Sequence, residues 1–341
     1  MHGAGARLHS SVTVRSSGPA PGQSSFVAMA SSLESSAASS PSRSSHNRGE
    51  SSHPGPSLTD ILLLVTSTIW GVNYTVVKYG TGVMDPLAYN GARVALAAVV
   101  FGWIAWHRKG PPVSRRDMWT LLGLGVLGNG LYQLLFAVGV AHTRAGSAAI
   151  VLASAPVFIA LLGRFLGIER VGLRGYGGVL LSIAGIALVM TGGAAGAADG
   201  STLYGNLIVL VGAFCWALFT VLLEPFTHRV SLVDISALTL VGGAVPLVAF
   251  SAPALIATRW ATLRPQTWVA IAYSGIGSLV IAYLFWYRGV RVIGPTRTAI
   301  YSNLQPVIAL LVSWMILSEV PTAWQGVGAA TIIAGVILTR S

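Results

Sequence analysis

Leu131–Leu188 reads LYQLLFAVGVAHTRAGSAAIVLASAPVFIALLGRFLGIERVGLRGYGGVLLSIAGIAL, and Ile281–Leu338 reads IAYLFWYRGVRVIGPTRTAIYSNLQPVIALLVSWMILSEVPTAWQGVGAATIIAGVIL. Laid over one another, Gly139 falls on Gly289, Pro156 on Pro306, Glu169 on Glu319, Gly178 on Gly328 and Gly185 on Gly335, each pair 150 residues apart with no gap. Common spacing of both prolines and both acids over this length marks a duplicated unit, and an internal repeat decides the fold before any local reading does.

The composition says where such a unit lives. The chain is 53% hydrophobic and only 9% charged, with a mean hydropathy of +0.70. Soluble domains carry about 25% charged residues, so this chain cannot cover a soluble surface and is read as a polytopic membrane protein. The formal net charge of +11 does not indicate a nucleic-acid partner, because the basic residues sit in short loops between apolar segments, where they set orientation. The one cysteine, Cys215, excludes an internal disulfide and a multi-cysteine metal site. It lies within an apolar segment and reads as a small packed side chain. No cofactor is expected.

Residues 1–57 are rich in Ser, Gly, Pro and Ala and show no apolar periodicity. Such a stretch cannot offset the entropy of ordering, so a disordered tail is expected. Phe26 to Ala30 is too short for a secretory apolar region. From Leu58 onward, ten apolar segments follow, at about 59–79, 86–106, 118–140, 145–165, 173–192, 204–224, 232–252, 267–287, 297–317 and 322–340. Each is long enough to span a bilayer, and backbone groups in lipid must be satisfied within the segment, so these are helices. The longest connection is read around Pro253–Gln266, holding Pro253 and Pro265.

Helix one also has a partner. Trp70 falls on Trp216 and Asp60 on Asn206, both offset by 146. The chain is therefore a first five-helix repeat at 58–193 and a second at 203–340. Five is odd, so the second copy enters from the opposite side of the membrane. Inverted repeats of this kind are typical of alternating-access transporters. Arg108, Lys109, Arg115, Arg116, Arg170, Arg174, Arg229, Arg288, Arg291, Arg297 and Arg340 collect on one side, against Lys78, Arg144, Arg259 and Arg264 on the other. That excess predicts a cell-membrane protein with both termini in the cytoplasm.

The chain from Leu58 to Arg340 resembles the EamA-type members of the drug/metabolite transporter superfamily. The resemblance is carried by WGVNYTVVK at Trp70–Lys78, DPLAYNGARVALAA at Asp85–Ala98, the Pro156 and Pro306 helices each followed by an acid thirteen residues on, and the glycine-rich GGVLLSIAGIAL and GVGAATIIAGVIL helices. It implies ten helices in two inverted five-helix repeats, with helices 1–4 and 6–9 around a central cavity and helices 5 and 10 peripheral. It also implies export or exchange of amino acids and other small metabolites. Small multidrug-resistance relatives carry a membrane-embedded glutamate in their first helix, and this chain has none there.

Several residues are candidates for the work of transport. Arg93 lies about eight residues into helix two. A charge there is costly and is usually functional or paired. It serves either as a fork for a substrate carboxylate or phosphate or as a lock on neighbouring carbonyls. Lys78, on the same side, is read as an interfacial anchor. Asn129, Tyr132, Gln133 and Phe136 fall at i, i+3, i+4 and i+7 on helix three and form one stripe. At offset 150, Gln133 maps to Tyr283 and Phe136 to Trp286, and Tyr283, Trp286 and Tyr287 form the matching stripe on helix eight. Trp70, Asn73 and Tyr74 map likewise to Trp216, Phe219 and Thr220. These stripes either line the cavity or pack helix against helix. Aromatics with a few amides suit an amphipathic organic solute.

Pro156 and Pro306 interrupt their helices near the midplane and are read as hinges, the alternative being a bend repaired by neighbours. Tyr301, Asn303 and Gln305 precede Pro306, while their counterparts Val151, Ala153 and Ala155 are apolar. That asymmetry points the polar set at a substrate. Glu169 and Glu319 are read as helix-end caps or a gate pair, with Arg164 and Arg170 as partners for Glu169. The small-residue faces of helices five and ten are read as scaffold packing, with a homodimer contact as the alternative.

No Asp or Glu lies mid-helix, no His lies deep in a span, and there is no phosphate-binding loop. The sequence therefore predicts facilitated efflux, exchange, or coupling through a peripheral group such as Glu224. The partners expected are the lipid bilayer and a small-molecule substrate, an amino acid or similar metabolite. A phosphorylated solute clamped by Arg93 and Lys78 is the second reading. An integral-membrane enzyme finds no paired carboxylates, metal cluster or nucleophile–base pair to support it.

Overall fold

The computed structural model describes residues 57–108, 110–166, 173–191 and 200–340. The expected disordered tail at 1–57 falls, up to residue 56, outside them, as do Lys109, Glu169 and Arg170. The described chain is helical. Eight helices are long and apolar enough to cross a membrane: α1 (Leu58–Val83), α2 (Pro86–His107), α3 (Arg115–His142), α4 (Ala145–Phe165), α6 (Gly200–Thr227), α7 (Leu232–Ala257), α8 (Pro265–Ile293) and α9 (Pro295–Leu317). Two shorter apolar helices complete the repeats, α5 (Leu173–Thr191) and α10 (Ala323–Arg340). This is an all-α, multi-pass membrane fold of ten helices. The end at which α1 begins and α10 finishes is called the near face below, and the opposite end the far face.

Local chemistry sets the helix ends. Ser57 accepts from the Asp60 amide at 3.3 Å while Asp60 accepts from the Ser57 amide at 2.8 Å, a capping box that starts α1. Asp85 caps α2 and Pro86 fills its first position, where a missing N–H costs nothing. Ser114 and Ser231 cap α3 and α7. These caps carry α3 further toward the near face than hydropathy alone indicated. One sequence expectation is corrected here: α7 continues to Ala257 with Pro253 inside it, and Pro265 is the first residue of α8. The long connection is thus confined to 258–264. Pro253 sits within the final turn and a half of α7, where little helix remains to be broken beyond it. Gly294, between α8 and α9, has φ of 83°, a left-handed conformation that glycine adopts without steric cost.

The repeat is visible in irregularities as well as in helices. α3 carries a π-helical segment at Val126–Leu131, and α8 carries one at Tyr273–Ile281. α4 breaks between Leu152 and Ala155, and α9 passes through a 3-10 turn at Tyr301–Leu304. At the 150-residue offset these features coincide. Pro156 and Pro306 therefore sit mid-span but within the first turn of a fresh helical half, where proline is tolerated.

Three residues touch their own repeat partners. Trp70 meets Trp216 edge to face, with ring centroids 5.7 Å apart. Gln133 Nε2 donates to Tyr283 Oη at 2.7 Å, and Ser182 Oγ donates to Ile332 O at 3.4 Å. A residue can touch its own copy only beside the axis that relates the two halves. In an inverted repeat that axis lies in the membrane plane, so these contacts mark the middle depth of the bilayer.

α5 and α10 pack on each other along their glycines. A Cβ built at Gly185 would lie 2.9 Å from Gly328 O, and one built at Gly335 would lie 2.6 Å from Gly178 O. These small-residue faces are thus occupied within the chain. A homodimer contact would have to use their outer faces, where Leu180, Ile183 and Ile337 are exposed. Gly185→Val is expected to lower thermal stability by about 1–3 kcal/mol, the usual cost of overpacking. An unchanged melting temperature for the purified variant would refute this close approach.

Candidate functional site

Around the axis the helices leave a small cavity of about 40 Å³ between aromatic rings. Nine of the sequence candidates line it: Trp70, Asn73, Tyr74, Arg93, Tyr132, Gln133, Trp216, Tyr283 and Gln305. Phe136, part of the expected stripe on α3, lines it as well. The sequence reading missed Leu152, Ala155, Ser278 and Ser302. Leu152 and Ser302 are repeat partners lying four residues before Pro156 and Pro306, whose rings cannot donate back to their carbonyls. That spacing was a usable signal. The lining comes from α1, α2, α3, α4, α6, α8 and α9, and α7 contributes none of it.

The walls are aromatic and mutually braced. Trp216 stacks against Tyr132, Phe219, Tyr283 and Trp286 at centroid separations of 5.0–5.8 Å. Trp70 reaches Trp286 at 5.1 Å and donates Nε1 to Ser278 O at 3.0 Å. Tyr74 donates to Gln305 Oε1 at 3.2 Å. Offset and edge-on pairs of this kind each contribute about 0.5–1.5 kcal/mol beyond area burial.

Arg93 is fully buried. At 1.5 Å per residue, its place in α2 puts it roughly 10 Å below the far end of that helix. Its Nε donates to Asn90 Oδ1 at 2.9 Å, Nη1 to Ser274 Oγ at 3.0 Å and Nη2 to Gln133 Oε1 at 2.5 Å. Asn90 Nδ2 is turned to Gln133 O at 3.0 Å. The Phe136 ring lies 5.5 Å from Arg93 Cζ. Gly275, in the π-helical segment of α8, admits this arrangement: a Cβ there would lie 2.9 Å from Arg93 O. Asn90 and Ser274 were not singled out from sequence, although both are polar residues within apolar spans.

Five candidates lie outside the cavity. Asn129, Trp286 and Tyr287 are buried on its near side. Trp286 Nε1 and Thr220 Oγ1 have no hydrogen-bond partner among the described residues, while the Tyr287 hydroxyl faces Asn129 and Thr239. Tyr301 turns to the near end of α1, where its hydroxyl donates to Asp60 Oδ1 at 2.5 Å. Asn303 Oδ1 is buried without a partner among the described residues.

The peripheral charges are also engaged. Lys78 donates to Val140 O and Ala141 O at 3.2 and 2.9 Å, closing α1 onto the far end of α3. Glu319 accepts from the Ala145 amide at 3.0 Å and so caps α4. Glu224 faces His228 at 3.2 Å near the surface. On the near face, Arg108 pairs with Asp234 at 3.2 Å and Arg229 with Asp117 at 2.8 Å.

A family model described as the EamA-like transporter family matches this chain twice, over residues 57–191 and 203–341. An uncharacterized transporter of Archaeoglobus fulgidus is 28% identical over 286 residues, spanning 84% of this chain and 98% of that protein. A protein of Escherichia coli (strain K12) named a probable amino-acid metabolite efflux pump is 25% identical over 286 residues, spanning 82% of this chain and 93% of that protein. A solved crystal structure of another protein superposes with a TM-score of 0.58 at 19% identity, covering 82% of this chain and 95% of that one. That last likeness speaks to the fold alone.

Proposed function

The chain belongs to the EamA-like transporter family and is a multi-pass membrane transporter, and from that premise we propose that it exports or exchanges small amphipathic metabolites of the amino-acid kind. It works by alternating access around the axial cavity, in the cell membrane, with both termini cytoplasmic. The observation that carries this reading is the position of the cavity on the axis. A site there is equally placed for either face, which is what an alternating carrier needs. From the axis the cavity extends toward Asn73, Tyr74 and Phe136 on the far side. Three near-side residues in corresponding places, Phe219, Thr220 and Trp286, do not line it. Thr220 and Trp286 carry buried polar atoms without a partner among the described residues, as expected of a surface that is wet in the other state, since each costs about 1–3 kcal/mol when dry. The charge asymmetry of the loops supports the orientation, and the name of the Escherichia coli relative supports the solute class. The phosphorylated-solute reading is weaker, because Lys78 is engaged by the α3 carbonyls.

The test uses two single-cysteine variants, Asn73→Cys and Thr220→Cys, each in a Cys215→Ala background and reconstituted in liposomes. A counterflow assay with a panel of amino acids and related metabolites runs alongside. Saturating solute is expected to change the rates at which the two cysteines react with aqueous thiol reagents in opposite directions. Cysteines whose reactivities stay fixed or move together, with no counterflow of any solute by folded protein, would overturn the proposal.

A further inference from the structure

The geometry points to an anion: we infer that the cavity accepts an organic acid with a flat apolar body, its carboxylate on Arg93, and that it rejects a solute whose only charge is an ammonium group. This rests on the transporter reading above and names the chemistry its site selects.

A guanidinium carries five N–H donors and no acceptor. Three of those of Arg93 are taken, one each by Asn90, Ser274 and Gln133. One N–H therefore remains on each terminal nitrogen, two further donors for a carboxylate, and Arg93 lines the cavity. All three acceptors are neutral. No Asp or Glu lines the cavity, so the positive charge is uncompensated in a part of the protein where an unpaired ion is costly. The acceptors are fixed in turn. Asn90 spends its amide on Gln133 O, and Gln133 spends its own on Tyr283 Oη. The donor face is thus preorganised before a solute arrives.

The repeat separates a structural role from a binding one. α2 and α7 are capped at Asp85 and Ser231, which differ by 146, the same offset that relates Trp70 to Trp216. Arg93 therefore corresponds to Thr239. The glycine approach is repeated as well: Gly275 faces Arg93 O, and Gly125 faces Thr239 O. The same helix packing is thus made in both halves, once with an arginine and once with a small neutral residue. The fold has no need of a cation at this place.

The rest of the cavity fits the body of such an acid. Its walls are the rings of Trp70, Tyr132, Phe136, Trp216 and Tyr283, an apolar aromatic surface that takes a flat ring once these side chains part to admit it. A solute bearing an ammonium group alone would find no carboxylate and would be repelled by Arg93. A phosphate dianion would find no second cation, because Lys78 is turned to carbonyls.

The experiment is counterflow into liposomes bearing the full-length protein, using four solutes with one phenyl body: 3-phenylpropanoate, phenylalanine, 3-phenylpropylamine and 3-phenylpropanamide. The acid is expected to be carried with a half-saturation at least tenfold lower than the amide, and the amine is expected not to compete. Arg93→Gln is expected to lose the acid by about a hundredfold and Arg93→Lys to retain part of it. The ranking on the unaltered protein keeps the inference open to refutation even where Arg93→Gln does not fold. Amine or amide carried as well as the acid, or phenylalanine carried while the acid is refused, would overturn the inference and leave the transporter reading standing. Failure of these four together with the wider metabolite panel would remove both.

Discussion

Gln133→Glu is expected to leave the protein folded and to abolish counterflow of organic acids, whereas Gln133→Leu is expected to lose the folded protein. Gln133 accepts from Arg93 Nη2 at 2.5 Å and donates to Tyr283 Oη at 2.7 Å. Leucine has nearly the same bulk but strips a partner from a buried charge. Leaving buried groups such as the Arg93 donor and the Tyr283 hydroxyl without a partner costs about 1–3 kcal/mol each, and more at the charge, against a total stability of about 5–15 kcal/mol for a typical domain. Glutamate keeps the acceptor, strengthens it and neutralises the site from within, so that Arg93 no longer calls for an external anion. Thermal unfolding in detergent and counterflow in liposomes separate the two outcomes. A Gln133→Leu protein that melts like the parent, or a Gln133→Glu protein that carries the acid unchanged, would refute this account of Arg93.

The second large effect is expected at Gly243, where α7 meets the π-helical segment of α3 backbone to backbone. A Cβ at Gly243 would lie 2.5 Å from both Gly125 O and Gly130 N. Gly242, next to it, faces the Leu122 carbonyl. No side chain there can swing aside, so the helices must part. Gly243→Ala is expected to cost about 1–3 kcal/mol. Gly243→Leu is expected to yield no monodisperse protein, because the separation would also undo the segment that carries Asn129. Size-exclusion profiles and melting curves of the two variants decide the matter, and a stable, monodisperse Gly243→Leu protein would contradict the close packing.

The architecture was legible because duplication writes each helix twice. The prolines, glycines and acids at a common offset fix ten helices and their inversion before any packing is known. The site was legible in part, and the departures have a common cause. The stripe Asn129, Tyr132, Gln133, Phe136 assumes 3.6 residues per turn, but Asn129 falls in Val126–Leu131, where i→i+5 bonding widens the turn and shifts the face. Tyr132, Gln133 and Phe136 reach the cavity, and Asn129 does not. Tyr301 and Asn303 fall in a 3-10 turn, which advances the face the other way. The partners of Arg93 come from three helices, and convergence of that kind leaves no periodic trace. Pro253 looked like loop punctuation, yet α7 runs past it to Ala257. The glycines of α5 and α10 announced their packing by repetition, whereas Gly242 and Gly243 stand within an ordinary apolar span and gave no such notice.

The three self-paired contacts on the axis have a thermodynamic corollary. A carrier made of two identical halves would be degenerate: its two end states would be one structure turned over, equal in free energy and equally occupied. In this chain the tryptophans that meet on the axis are alike, but Gln133 meets a tyrosine and Ser182 an isoleucine. Asn129, Thr220 and Tyr287 answer to Leu279, Tyr74 and Ala137 across the repeat. In the alternating-access reading each such mismatch lifts the degeneracy. Apart from Gln133, which bonds Arg93, these positions make no hydrogen bond to Arg93, and they too set the resting poise of the carrier. Drift between two once-equal copies can retune which face the empty protein shows, while leaving untouched what it recognises.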